Sequence, residues 1–354
     1  MAVEFWTNGA GVPGGTFVRR AQEAEAAGFD GITIVDSQNL AGDCYVALAL
    51  AARETSRLKL ATGVTNPVTR HPAATASAIA SVQVESGGRA MLGIGRGDSA
   101  LAHLGHAPAS LAVFEDYLVR LQAYLRGEEV PFPAAADVDR LRLANRPVAS
   151  RIAWLRHSTY TKVPVDVAAT GPQVIRAAAR HADRITFAVG ADPVRLQWAI
   201  AEARAARAEA GLNASTQPFG AYLSVVVHDD PEVARRLGEG GVSLFTRFSV
   251  MHGNIVGPAE PEQRKVFHDV HDAYDMTRHS RAGSAQAAVI PQSFAEKFAV
   301  LGPANACVER LRELIALGLD RLVIVGPSMG ADPIETAKAE RAFAEDVMPA
   351  LRGG

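Results

Sequence analysis

The chain has 354 residues, a formal net charge of −2 at pH 7 and a hydrophobic content of 48%. Near-neutrality argues against nucleic-acid and anionic-membrane partners, and the longest apolar run, near residues 45–52, is far shorter than the roughly 20 residues that cross a bilayer. The start MAVEFWTNG lacks a signal-peptide pattern and only Cys44 and Cys307 occur, so we expect a cytoplasmic protein without a disulfide framework or a cysteine metal site.

Short apolar runs alternate with helical patterns along most of the chain. The predicted strands are Val3–Trp6, Gly31–Val35, Leu58–Val64, Arg89–Ile94, Val163–Ala169, Arg184–Val189, Phe219–Val227 and Arg321–Val325. The predicted helices are Thr16–Ala27, Cys44–Arg53, Pro72–Val84, Phe114–Arg126, Gly171–Ala182, Pro193–Ala210, one that begins at Pro231–Gly238, Ala304–Leu317 and Glu335–Leu351. Eight strands, each followed by a helix, predict a (β/α)8 TIM barrel of about 250 residues plus insertions.

Two segments interrupt this alternation, at about 127–162 and 251–292, and we interpret them as insertions in a single barrel domain spanning 1–354. The second holds His252, His268, His271 and His279. His268 and His271 are spaced to share one helical face, but no third ligand is fixed by spacing. We therefore expect no metal and favour a solvated helix face or a substrate lid.

The stretch 58–98 organises the rest. Its two predicted strands end in Gly63-Val64-Thr65-Asn66-Pro67 and in Gly95-Arg96-Gly97-Asp98, which contain little to pack a core. The carboxyl ends of parallel strands carry the chemistry in α/β folds, so these two ends predict the floor of an active site. The glycines at 93, 95 and 97 indicate a place where a flat cofactor can lie against backbone.

A competing motif lies near the N-terminus. Residues 9–14, GAGVPG, match G-x-G-x-x-G after a strand and before a helix, with Asp36 further on, which is the pattern of a Rossmann NAD dehydrogenase. Against it, Pro13 removes one backbone N–H from a loop that works by donating them. The alternative interpretation is a flexible loop at the mouth of the barrel.

The motifs GVTNP, TRHPAATASAIA and SGGRAMLGIGRGD resemble the luciferase-like superfamily, most closely its coenzyme F420-dependent branch, which includes methylenetetrahydromethanopterin reductase. The likeness extends to VEFW, GFDGITIVD and PVDVAATGPQVIRAAARHADRI, and leaves out only the two insertions. It implies a (β/α)8 barrel with insertions, in agreement with the strand count.

The resemblance also implies a cofactor site. Family members have a non-prolyl cis peptide at the end of the third strand, here Gly63–Val64, and the resulting bulge backs the tricyclic ring. A helix N-terminus at Thr170 and Gly171 would hold the phosphate-bearing tail. The expected cofactor-binding residues are Asp36, Gly63, Val64, Thr65, Asn66, Pro67, Arg96, Thr170, Gly171 and, with less support, Gln173.

For proton handling, the resemblance points to Asp98 and Glu4, and a carboxylate inside a barrel mouth should have a raised pKa. The alternatives are a helix cap for Asp98 and a structural acid for Glu4. Many members have His where this chain has Ser37, which can only position or relay a proton. His103 and His106, after Asp98, are further candidate pocket residues.

The leading hypothesis is an F420-dependent oxidoreductase that moves a hydride between the deazaflavin and a small organic substrate. The alternatives are an FMN-dependent monooxygenase of the same fold, a flavin-binding protein without turnover, and the Rossmann dehydrogenase. Family members often form homodimers or larger homo-oligomers, which we expect here too.

Overall fold

Eight parallel strands close into a barrel in the computed structural model, which describes residues 3–12, 14–133 and 137–353. Each strand pairs with the next in the chain and the eighth pairs with the first, so the predicted TIM barrel is confirmed. The strands are β1 Glu4–Gly9, β2 Gly31–Ile34, β3 Lys59–Thr62, β4 Ala90–Ile94, β5 Val165–Ala169, β6 Arg184–Phe187, β7 Phe219–Val227 and β8 Arg321–Val325. The sequence did not predict the short strand Val300–Gly302, which pairs with β7, or the two-residue hairpin of Val130–Pro131 with Ala149–Ser150.

Helices cover the outside of the barrel. They are α1 Thr16–Ala26, α2 Cys44–Glu54, α3 Pro72–Glu85, α4 Leu111–Leu125, α5 Pro172–His181, α6 Pro193–Glu209, α7 Pro231–Phe248, α8 Pro261–Asp272, α9 Gln292–Phe298, α10 Ala304–Ile315 and α11 Pro333–Ala342. Several begin at proline, whose missing N–H costs nothing in the first turn, and Asp43, Asp192 and Asp230 cap theirs by accepting backbone N–H bonds. Shorter helical segments are Ser99–Ala102, Val138–Leu141, Ala153–His157, Met276–Arg278 and Ala285–Ala288, and the predicted last helix is divided into α11, the π-helical turn Phe343–Val347 and Met348–Arg352.

Strand side chains alternate between two apolar layers, as pleating requires. One layer packs under the helices and includes Phe5, Ile32 and Leu60. The other joins Trp6 to apolar side chains from β3, β4 and β8, which can meet only inside the barrel. Gly31 lies opposite Trp6 in the register, and a Cβ there would lie 2.4 Å from the indole, so only glycine leaves room for this ring.

The second insertion packs against α7 and α9 in a separate apolar cluster, with Phe267 of the insertion and Phe298 of α9 among its members. Arg195 of α6 holds it to the barrel. Its guanidinium is fully buried and donates to the carbonyls of Val256 and Pro258, at 2.9 and 2.6 Å. The insertion therefore has a fixed attachment beside β6.

Candidate active site

The end of β3 forms a shelf at the carboxyl end of the barrel. The peptide bond between Gly63 and Val64 is cis, at the position that the resemblance implies. A Cβ on Gly93 would lie 3.4 Å from Val64 Cγ1 and one on Gly95 3.3 Å from Cγ2, so the half-buried Val64 side chain lies over bare backbone of β4. Thr65 bonds to this backbone, accepting from Gly95 N–H and donating to the Gly93 carbonyl, both at 3.0 Å. The shelf is thus a hydrogen-bonded backbone surface that is partly exposed at Gly63 and Val64.

Asp36 supports the shelf from behind. One of its oxygens accepts hydrogen bonds from the Thr65 hydroxyl and from Arg70, both at 2.6 Å, and the other accepts from Gln38 at 2.5 Å. Arg70 also donates to Asp43, at 2.8 Å. Because Asp36 is only 3% exposed, its carboxylate serves to position Thr65 and does not face open space.

Asn66 turns the chain away from the shelf. Its side-chain oxygen accepts the backbone N–H groups of Val68 and Thr69, at 3.0 and 3.1 Å. The side-chain nitrogen is buried and has no hydrogen-bond partner among the described residues. Pro67 is buried beside it. A buried donor without a partner is costly, so the Asn66 amide is a candidate contact for a bound ligand.

The remaining predicted cofactor residues lie on two other loops. Arg96 donates from Nε to the Ala109 carbonyl at 2.5 Å, so at least this nitrogen serves the loop after β4. Thr170 donates to the Ala188 carbonyl at 3.2 Å. Gly171 opens α5 without a side-chain cap, and since Pro172 has no N–H, the backbone N–H of Gln173 remains available to an anion. The exposed side chain of Gln173 makes no hydrogen bond in the described structure.

Asp98 forms an ion pair that sequence reasoning missed. Its carboxylate lies 2.5 Å from Arg247 at the end of α7, and it does not cap the following helix. Arg247 stacks over the Tyr274 ring at 4.6 Å, and Tyr274 shares a 2.7 Å hydrogen bond with His279. Both aromatic residues come from the second insertion, so the insertion contributes directly to the mouth.

Ser37 lies at the mouth beside Asp36. Its side chain is buried, and its hydroxyl has no hydrogen-bond partner among the residues that the structure describes. Asn39 in the same loop donates to the His103 carbonyl at 2.9 Å, which connects the ends of β2 and β4. The Ser37 hydroxyl is therefore a candidate contact for a ligand, and its role stays a prediction.

The structure corrects the predicted proton-handling role of Glu4. It is the first residue of β1, at the amino end of the barrel, and pairs with Lys59 and with Arg321 at 3.0 Å. Although burial opposes ionisation, hydrogen bonding to Lys59 and the charge of Arg321 lower the pKa of Glu4 to about 2, so the expected raised pKa is wrong. The side chain is a structural acid, because it lies at the opposite end of the strands from the shelf.

The Rossmann interpretation is also wrong. β1 lies in a closed barrel, paired with β8 and β2, whereas a Rossmann domain needs an open doubly wound sheet. Gly14 and Gly15, both with positive φ, lead into α1; Pro13 lies outside the described residues. Within the described ranges, no three His, Cys, Asp or Glu side chains come together as metal ligands, and no helix is long and apolar enough to cross a membrane.

Fold and site together define a TIM-barrel enzyme of the oxidoreductase class. The family model of luciferase-like monooxygenases matches residues 4–321, and the chain belongs to that family. The 5,10-methylenetetrahydromethanopterin reductase of Methanolobus tindarius is 26% identical over 312 residues, 87% of this chain and 89% of that protein. The F420-dependent hydroxymycolic acid dehydrogenase of Mycobacterium tuberculosis is 31% identical over 238 residues, 62% of this chain and 61% of that protein.

A solved structure supports the fold. The coenzyme F420-dependent tetrahydromethanopterin reductase from Methanopyrus kandleri superimposes with a TM-score of 0.75 at 21% identity, over 99% of this chain and 100% of that chain. The (β/α)8 architecture is therefore shared with this enzyme over essentially its whole length.

Proposed function

We propose that this protein uses coenzyme F420 and moves a hydride between C5 of the deazaflavin and a small organic substrate. The observation that carries the proposal is the shelf, where the Val64 side chain lies over backbone without side chains at Gly93 and Gly95. A flat ring fits such a surface. The F420-dependent relatives described above support this cofactor over others.

The surrounding residues fit the cofactor. The Asn66 amide and the Ser37 hydroxyl are buried polar groups without partners in the described structure, and a ring with carbonyl and N–H groups would satisfy them. The uncapped start of α5 at Gly171 suits an anionic tail without a lysine. Polar donors and bare backbone thus both lie at the carboxyl ends of barrel strands.

When bound, the deazaflavin supplies the hydride chemistry, and the protein supplies binding and orientation. Val64 would support one face of the ring, so that substrate approaches the other. Asp36 and Thr65 keep the shelf rigid, which preserves the geometry that hydride transfer requires. Asp98 keeps Arg247 in place beside the substrate space.

An FMN-dependent monooxygenase is the second candidate, because the family model is named for luciferase-like monooxygenases. Equilibrium binding of both cofactors to the apo protein, followed by absorbance, separates the two. We expect F420 to bind more tightly than FMN, and stoichiometric FMN with oxygen consumption would overturn the proposal. Tight binding of either ring without any turnover would indicate the non-catalytic flavin-binding protein.

A variant pair locates the ring. Asn66→Ala removes a buried amide next to the shelf and should weaken F420 binding at least tenfold. His252→Ala, at an exposed position in the second insertion, is the control and should leave it unchanged. Equal affinities for both variants would show that the ring lies elsewhere.

We further propose a cytoplasmic homodimer or larger homo-oligomer. Both cysteines are buried free thiols, which suits a reducing compartment. On α2, Val46 and Leu50 are 61% and 55% exposed and lie one turn apart, which favours a subunit contact on this helix. Light scattering of the wild type and of Leu50→Glu tests the contact, and a monomeric wild type would rule it out.

A further inference from the structure

Tyr222 of β7 points into the barrel. It pairs in the register with Val323 of β8 and packs against the interior cluster that joins Trp6 to side chains of β3, β4 and β8. The same side chain also packs against the second apolar cluster, which includes Ala188 directly after the end of β6. Tyr222 therefore extends from the interior of the barrel toward the carboxyl ends of the strands.

The amino end of the barrel, on the other side of this layer, is closed. Arg321, only 2% exposed, pairs with Glu4 at 3.0 Å and with Asp166 at 3.2 Å. Its guanidinium also stacks on the fully buried Trp6 ring, 4.1 Å from the ring centroid. Tyr222 is half-buried, so its uncovered surface faces the carboxyl end, where the shelf lies.

Tyr222 and the shelf lie on opposite sides of the barrel. The eight strands pair in chain order around the ring, so β7 is four strands away from β3 in either direction. The interior cluster that Tyr222 contacts includes Ala61 and Met91, each two residues before a glycine of the shelf. The interior of an eight-stranded barrel is just wide enough for side chains to fill it. A molecule held between the shelf and β7 therefore meets Tyr222 at its inner end.

The hydroxyl of Tyr222 is a polar group without a protein partner. Within the described residues it makes no hydrogen bond, and it is not fully enclosed. Burial raises the pKa of Tyr222 far above its usual range, and the charge of Asp166 adds to this effect while that of Arg321 opposes it. The group is therefore a neutral hydroxyl at pH 7, which can donate to an acceptor, and apolar surroundings strengthen such a bond.

We propose that Tyr222 determines substrate specificity, because its hydroxyl donates a hydrogen bond to a neutral oxygen at the inner end of the substrate. This inference rests on the proposed function, in which the deazaflavin lies on Val64 and leaves its other face to the substrate. That face is turned toward β7, across the barrel from the shelf. The Tyr222 ring closes the bottom of this space and limits how far a substrate enters.

The charges inside the barrel favour an uncharged inner end. Three carboxylates and three cations pair at the closed amino end, namely Glu4, Asp166, Asp320, Lys59, Arg184 and Arg321. None of them is left to neutralise a charged substrate group, which would lose its hydration beside Tyr222. The outer end of the substrate is not limited in this way, since Arg278 and Arg281 of the second insertion are exposed. Only the inner end must therefore be uncharged.

The first test uses fluorine NMR of the full chain labelled with 3-fluorotyrosine. The chain has six tyrosines, and Tyr222→Phe identifies the signal of Tyr222. With oxidised F420 bound, cyclohexanone should shift this signal but not that of Tyr160, which belongs to the first insertion. If F420 binds and cyclohexanone leaves the Tyr222 signal unchanged, the inference is wrong. If F420 does not bind, the proposed function is wrong instead.

The second test separates a ligand contact from a structural tyrosine. The Tyr160 hydroxyl donates to the Leu125 carbonyl at 2.9 Å and accepts from Val163 N–H at 3.1 Å. Tyr160→Phe should therefore unfold at a lower urea concentration than wild type. Tyr222→Phe loses no hydrogen bond within the described residues and should unfold at the wild-type midpoint or above it. A midpoint below that of wild type would show that the Tyr222 hydroxyl is structural and would contradict the inference.

The third test compares cyclohexanone with methylenecyclohexane, in which a CH2 group replaces the oxygen. Both are added to protein loaded with oxidised F420, which has no hydride to give, and ligand-observed NMR measures each Kd. Tyr222→Phe should weaken cyclohexanone binding about fivefold, as the loss of one hydrogen bond implies, and should change methylenecyclohexane binding less than about twofold. Tyr160→Phe is the control and should bind both like wild type. Equal effects of Tyr222→Phe on the two ligands, or a wild type that binds F420 but not cyclohexanone, would overturn this inference alone.

Discussion

Gly93→Ala tests whether the shelf depends on bare backbone in β4. The new Cβ would lie 2.1 Å from the Thr62 carbonyl oxygen, which belongs to the adjacent strand and not to a mobile side chain. To make room, the two strands must separate where Thr62 Oγ1 and Thr65 N–H donate to the Gly93 carbonyl, at 2.7 and 3.0 Å. The methyl group therefore affects both the packing and the hydrogen bonds of the shelf.

The expected cost follows from these contacts. Overpacking a close-packed site costs about 1–3 kcal/mol, and each weakened hydrogen bond adds about 1 kcal/mol. We expect the free energy of unfolding of Gly93→Ala to fall by about 3–5 kcal/mol. F420 binding should weaken at least tenfold, because the surface under Val64 is displaced.

Gly95→Ala is the matched control on the same strand. Its Cβ would lie 3.3 Å from Val64 Cγ2, the end of a side chain that can adjust. Stability should therefore change by less than about 1 kcal/mol, while the added methyl beside the shelf still weakens F420 binding. Urea denaturation of the apo proteins and absorbance titrations measure both quantities. The reasoning would be refuted if Gly93→Ala were as stable as wild type, or if Gly95→Ala were less stable than Gly93→Ala.

Three further substitutions test neighbouring features. Asp36→Ala removes the buried partner of Arg70 and should lower the free energy of unfolding by about 2–4 kcal/mol. Urea denaturation measures this loss, and an unchanged free energy of unfolding would show that the pair is unimportant. Glu4→Gln should lower the free energy of unfolding by about 2 kcal/mol at pH 7 but leave the Kd of F420 unchanged. Since the pKa of Glu4 in the folded state is about 2 against an ordinary 4.5, its contribution to stability is present above pH 4.5 and is lost as the pH falls toward 2. Arg195→Met leaves the carbonyls of Val256 and Pro258 without their donor and should speed proteolysis within residues 251–260. Mass spectrometry of the fragments measures the cleavage rate, and an unchanged rate would mean that other contacts hold the insertion.

The barrel could be predicted from sequence because its strands and helices depend on local signals, whereas the cis peptide of the shelf was expected from the family resemblance. Strand and helix patterns gave the alternation, and the Gly63–Pro67 stretch marked the end of β3. Glycines at 93 and 95 indicated backbone close to a ligand, and the structure places Val64 over them. The strands and helices could be predicted because each is encoded within a few adjacent residues, while the cofactor contact at the glycines stays a prediction.

Glu4 was named as a candidate acid from the family resemblance, and the predicted strand boundary did not reveal its true position. Predicted strand Val3–Trp6 ends close to Glu4 and places it near the mouth, but β1 continues to Gly9. Three further residues at about 3.3 Å each move the strand end by roughly 10 Å. This puts Glu4 at the amino end, in the ion pair with Arg321.

The Asp98–Arg247 pair could not be predicted for a different reason. The partners are separated by 149 residues, and nothing near Arg247 distinguishes it from the other charged residues of a long helix. Only the folded barrel brings the end of α7 to the loop after β4. His279 was visible as one histidine of an irregular insertion, but its contact with Tyr274 depends on a turn held by Gln286.

The site thus consists of two parts with different physical origins. The shelf is made of backbone and glycine at Gly63, Gly93 and Gly95, so it depends on the barrel strands and offers a flat surface to any ring of the right shape. The Tyr274–His279 pair belongs to an insertion that contacts the barrel through Arg195 and the loop after β8. Changes in the insertion should therefore alter the mouth of the barrel more than the shelf, because the strands that carry the shelf pair within the barrel.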